Sequence, residues 1–195
     1  MSTKADHALL ACAVLLLATA CTSTEAGLAG ADPSAAPAAP ELPRRPAELS
    51  LRGVDPCRLL SDAQLDELKV TSEPRLATEQ RDGPTCSLDV DRTEPYYSYY
   101  VETITTADVR AWLDGERANP STNTEPAEVE GFPALVNHAP GPHPGDCETL
   151  VGVAEGQTLR TQLYPVTQNA FDQRQLCDMS TQAARLAVQT LQATR

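Results

Sequence analysis

The most reactive side chains in this chain are its six cysteines. Cys12 and Cys21 lie in or just after an apolar N-terminal stretch, while Cys57, Cys86, Cys147 and Cys177 are spread through the remainder. Four cysteines in an exported domain predict two disulfides, with three pairings open. Cys147 opens a segment that reads as one strand of a hairpin, and the partner strand ends near Tyr164, so Cys177 returns to the same end. That arrangement favours 147–177 and leaves 57–86. The crossed set, 57–177 with 86–147, would staple the terminal helices together and stays open. A four-thiolate metal site is disfavoured because there is no Cys-x₂-Cys pair. The same absence, with no lone activated thiol, argues against a redox role.

Other chemistry-bearing groups are fewer. Tyr96, Tyr97, Tyr99 and Tyr100 supply four of the five tyrosines. On a strand, Tyr97 and Tyr99 share one face and Tyr96 and Tyr100 the other. One face can join a core. The other is then an aromatic patch suited to a carbohydrate, a lipid headgroup or a protein. His138 and His143 flank a Pro/Gly loop beside Asp146, but no helix sets them on one face, so they read as solvent-exposed loop residues. Asp89, Asp91 and Glu94 cluster near one strand, and alternation places Asp89 and Asp91 opposite Leu88 and Val90, as on a solvated face. A glycosidase-like pair needs one carboxyl in a cleft with a raised pKa. No Gly-x-Ser-x-Gly elbow is present, and no nucleophile, base and orienting group assemble from sequence. No metal and no cofactor are expected.

The elements that must carry these groups follow from local patterns. Ser61 and Gln64 have the spacing of a capping box, with Leu60 and Leu65 as a hydrophobic staple, so a helix is predicted from about Asp62 to Lys69. Residues 70–84 read as loop. Strands are predicted at 86–90, 96–104, around 132–136, 147–154 and 158–164. A short helix spans 106–113, with Val109, Trp112 and Leu113 on its apolar stripe. A long helix runs from about Asp172 to Thr194, with Leu176, Met179, Ala183, Leu186, Ala187 and Leu191 at three- and four-residue steps. The order predicts an α+β fold: an antiparallel sheet of about five strands packed by N- and C-terminal helices and held by two disulfides.

The chain has 195 residues and a net charge of −12, from 27 acidic and 15 basic side chains. That balance argues against a nucleic-acid partner, which needs a basic face. It also argues against electrostatic docking on anionic lipid. Residues 8–20 are uncharged and mostly Ala, Leu and Val, too few for a bilayer-spanning helix and suited to a secretory signal. Leu17-Ala18-Thr19-Ala20-Cys21 resembles the lipobox of bacterial lipoproteins. The resemblance implies that residues 1–20 are removed and that Cys21 carries a diacylglyceryl group, whose two acyl chains anchor stably where one would bind marginally. Residues 21–48 are rich in Ala and Pro and lack apolar periodicity, so they read as a disordered tether. Residues 49–195 then form one domain, large enough for a single core.

With these features placed, Asp55-Pro56-Cys57 before Leu59-Leu60-Ser61, Cys86 at a strand start, Glu130-Gly131-Phe132-Pro133-Ala134, Cys147 at the next strand and Cys177 opening an Ala-rich final helix form an ordered set. Together with the lipobox and Pro/Ala tether, that set is similar to the actinobacterial lipoproteins grouped as domain of unknown function 3558. The resemblance implies lipoprotein status and a place on the extracytoplasmic face of the cell membrane. It implies no reaction, substrate or catalytic residue. The expectation is a non-catalytic binding or interaction module whose partner is an envelope protein, a glycan or a small ligand. The alternatives are an envelope hydrolase using carboxylates and an accessory subunit of a transport or sensor system.

Overall fold

Strand pairing organises the molecule. The computed structural model describes residues 41–79 and 81–194. Seven strands form one antiparallel sheet in the order β1-β2-β3-β7-β6-β5-β4. They are β1 (Arg75–Leu76), β2 (Thr85–Val90), β3 (Tyr97–Ile104), β4 (Asn123–Val129), β5 (Phe132–His138), β6 (Cys147–Ala154) and β7 (Gln157–Pro165). The helices are α1 (Asp62–Glu67), α2 (Arg110–Leu113) and α3 (Gln173–Ala193).

The antiparallel α+β architecture with two disulfides matches the expectation, and the strand count of about five does not. Both additional strands are the sheet's edges. β1 has two exposed residues and lies in the segment read as loop. β4 is mostly exposed and carries Pro126 in its middle. An edge strand can be short, polar and proline-bearing because one side of its backbone needs no partner. Those same properties hide it from a periodicity search. β4 and β5 are joined by Glu130-Gly131, both at positive φ (51° and 81°), as a two-residue type I′ hairpin turn requires. The predicted helix over 106–113 contracts to α2.

The predicted capping box at Ser61 is present. The Ser61 hydroxyl accepts from Gln64 N, and Gln64 returns the bond to the Ser61 backbone. α3 opens on the same device, with Asp172 and Gln175. α1 ends in a Schellman motif: Lys69 N donates to Asp66 O at 3.1 Å and Val70 N to Leu65 O at 2.9 Å, with Lys69 at φ 64°.

The two sheet faces differ. α3 covers one of them across β6 and β7. The core there includes Leu88, Tyr99, Val101, Phe132, Val151, Leu159, Leu163, Leu176, Ala187 and Leu191. A second apolar cluster gathers Leu42, Ile104, Val109, Trp112, Leu135 and Leu150 at one end of the other face. Residues 42–48, assigned above to the tether, therefore belong to the packed part. Leu42 is buried, and Arg45 Nη1 donates to Asp108 Oδ2 at 3.0 Å. One leucine among polar and proline residues gives no periodic signal, so local pattern does not mark this segment as packed. The expected signal at 1–20, Cys21 and residues 22–40 lie outside the described residues.

Candidate functional site

Both predicted cystines are formed in the favoured pairing. Cys57 joins Cys86 and Cys147 joins Cys177, with Cα separations of 5.0 and 5.1 Å. The first fastens the short 3₁₀ turn Pro56–Arg58 to β2, and the second fastens the start of β6 to the first turns of α3.

The tyrosine patch needs correction. Tyr97 and Tyr99 lie in the core under α3, and their rings meet edge to face at 5.6 Å. Tyr97 also meets the Phe171 ring, with centroids 5.4 Å apart. Burial pushes the phenol pKa of both upward. Tyr100 points to the opposite face, half-buried beneath the Arg81 guanidinium 4.3 Å from its ring centre. Tyr96 precedes β3 and is half-buried; its carbonyl accepts from Val166 N and Thr167 N. The exposed tyrosine is the fifth, Tyr164, at 52% exposure. Sequence reasoning passed over it because a single Tyr near a strand end makes no cluster.

On the face away from α3, strand register sets out rows. Asp89, Ser98 and Tyr164 form one. Ser87, Tyr100, Gln162, Glu148 and Asn137 form the next. Thr85, Glu102, Arg160, Leu150 and Leu135 form the third, where the face turns apolar beneath α2. Polar side chains thus occupy the part of this face that the second apolar cluster leaves uncovered.

Its carboxylates are already engaged. Glu102 is 1% exposed; its Oε2 accepts from Arg160 Nε at 2.7 Å and its Oε1 from Gly83 N at 2.7 Å. Arg160 Nη1 reaches Asp82 at 3.3 Å and Glu148 at 3.7 Å, and Asp82 also takes Arg117 Nη1 at 2.7 Å. Asp89 accepts from Ser98, Ser87 and Arg75. Burial opposes its ionisation, yet those hydrogen bonds and the Arg75 charge prevail and hold its carboxyl below the usual range. Glu148 goes the other way: desolvation pushes its pKa up, against the Arg160 charge and the Asn137 amide. Asp91 lies past the strand end and accepts from Thr71 and Ser72.

Beside this face is a cavity of about 450 Å³ lined by His143, Asp146, Tyr164, Gln168, Asn169 and Phe171, among others. The β6 approach brings His143 and Asp146, the end of β7 brings Tyr164, and the link into α3 brings the rest. Asp146 Oδ2 accepts from Gln162 Nε2, which ties the cavity wall to the second row. Asn169 holds φ 58°, a conformation its short amide side chain tolerates, and this aims the link around the cavity. The arrangement offers a ring face, a carboxylate, an imidazole and two amides around one space whose lining is otherwise apolar, with Pro144, Pro165, Phe171 and Leu176. His138 lines a different cavity, with Glu125, Gln173, Arg174 and Asp178, so the two histidines do not converge. Among the described residues no group of three His, Cys, Asp or Glu is placed to hold a metal ion, and no helix is long and apolar enough to cross a membrane.

A family model described as "Protein of unknown function (DUF3558)" matches residues 16–190. No curated protein and no solved structure matches the chain.

Proposed function

We propose, from the premise that this chain belongs to the DUF3558 family, that it is a lipid-anchored cell-envelope protein whose folded part binds a hydroxyl-rich ligand, a glycan, in the Tyr164 cavity. Cys21 carries the anchor in this reading, residues 1–20 are its signal, and a tether ending near Leu42 holds the domain on the extracytoplasmic side of the membrane. Two cystines support an oxidising compartment. The observation that carries the binding reading is the exposed Tyr164 ring set among Asp146, His143, Gln168 and Asn169. An aromatic face takes the C–H side of a sugar, while carboxylate and amides take its hydroxyls.

Binding is favoured over carboxylate hydrolysis because Glu102, Asp82 and Asp89 are bound up in ion pairs and hydrogen bonds. A hydrolase needs a pair of carboxyls free to exchange protons with substrate.

Two measurements test the reading. Fractionation of host cells expressing Cys21→Ala should find the protein in the medium; retention in the membrane fraction would remove the lipid anchor. Retention on insoluble envelope polysaccharide should fall at least tenfold for Tyr164→Ala and for Asp146→Asn. Equal retention of both variants and the parent would dismiss the cavity as the binding site.

A further inference from the structure

The packed N-terminal segment closes a second cavity, of about 280 Å³, lined by Leu42, Arg44, Arg45, Glu48, Asp108 and Arg110 among others. Its two carboxylates are fully occupied. Glu48 accepts from Arg45 Nε at 3.0 Å and from Glu155 N at 2.6 Å. Asp108 accepts from Arg45 Nη1 at 3.0 Å and from Arg110 N at 3.1 Å. The Glu155 amide and the Arg45 guanidinium hold the Glu48 carboxyl below its usual pKa. Arg45 is thereby locked between two acids and forms a rigid wall.

Arg44 and Arg110 line the same cavity, both exposed, and neither side chain has an acidic partner among the described residues. Three guanidiniums against two carboxylates leave this cavity positive by one charge, in a chain of net charge −12. Arginine's planar fork suits phosphate oxygens, and two guanidiniums without acidic partners line this cavity together with Arg45.

We propose that the Arg44–Arg45–Arg110 cavity binds a phosphate group, and that its source is the headgroup of an anionic phospholipid. The choice of source rests on the lipid-anchor reading above. Twenty residues separate Cys21 from Leu42, a reach of about 60 Å when extended, so a tethered domain can touch the surface to which it is fastened. The overall negative charge opposes spread-out attraction to such a surface, and one local cradle does not depend on it.

The experiment follows backbone amide resonances of the isotopically labelled mature chain in neutral phosphatidylcholine bicelles. Inorganic phosphate is titrated in; separately, phosphatidylglycerol replaces part of the lipid. Saturable shifts at Arg44, Arg45, Asp108 and Arg110 are expected in both arms. In Arg44→Ser/Arg110→Ser the midpoint should rise at least tenfold, with the remaining spectrum unchanged as proof of folding. Shifts with inorganic phosphate alone would overturn the lipid source and leave the phosphate site standing. No saturable shift in either arm, or an unaltered midpoint in the double variant, would overturn the site itself. A chain that fails to associate with bicelles yet shifts with phosphate would count against the anchor reading alone.

Discussion

Arg160 donates through Nε to Glu102 Oε2 at 2.7 Å, and Glu102 is 1% exposed. The two stand opposite each other on β3 and β7, in the row where the polar sheet face meets the apolar cluster beneath α2. A carboxylate that deep persists because Gly83 N and Arg160 satisfy both of its oxygens. Removing the arginine leaves the charge buried. Arg160→Met should cost about 3–5 kcal/mol in urea unfolding. Adding Glu102→Gln to Arg160→Met should recover part of that loss; no recovery would show that packing rather than the charge pair is at stake.

Gly83 sets the approach of residues 81–84 to the sheet. A Cβ there would lie 2.2 Å from Thr103 O, a backbone atom that cannot step aside. Gly83→Ala should destabilise by about 1–3 kcal/mol, as overpacking does, and displace the Glu102 contact. Unfolding midpoints and the amide shift of Thr103 check both parts.

Lys69 occupies the left-handed C′ position of α1 at φ 64°. Glycine suits that conformation better. Lys69→Gly should therefore raise stability by about 0.5–1 kcal/mol, while Lys69→Val should lower it. A urea midpoint that moves the same way in both variants would contradict the capping assignment.

The Cys147–Cys177 bridge closes a sequence separation of 30 residues between β6 and α3. In the chain-entropy model its loss costs about 3–4 kcal/mol. Cys147→Ala/Cys177→Ala should show that drop in guanidinium unfolding under oxidising conditions, and the parent under reducing conditions, with both bridges open, should fall further.

Glu148 and Asp89 predict opposite pH limbs. Burial raises the folded pKa of Glu148 above its unfolded value, so the folded state binds the extra proton. Its contribution is fully present below the unfolded pKa and is lost as pH rises through the folded one. Asp89 has a lowered folded pKa; its contribution is present above the unfolded pKa and is lost as pH falls through the folded one. In thermal melts, Glu148→Gln should flatten the decline on the rising side, and Asp89→Asn the decline on the acid side. Melting curves with unchanged pH dependence in both variants would refute the assignments.

The Ser61–Gln64 capping box, the long C-terminal helix and the central strands were legible in the amino-acid order, because each depends on neighbours within a few residues; the cystine pairing was legible through the hairpin that returns the chain toward Cys147 before Cys177. Ser61 with Gln64, and Asp172 with Gln175, are local hydrogen-bonding units whatever surrounds them. Tertiary structure alone decided the edges and the sites. Pro126 and the dipeptide Arg75-Leu76 became strands only because a neighbouring strand offered half a ladder. Tyr97 and Tyr99 were taken into the core because α3 crosses their face of the sheet, while Tyr164 was left outside on the other. Arg45 met Asp108, 63 residues away, through folding alone. Contacts between distant segments depend on which face each element buries, and no local spacing carries that information.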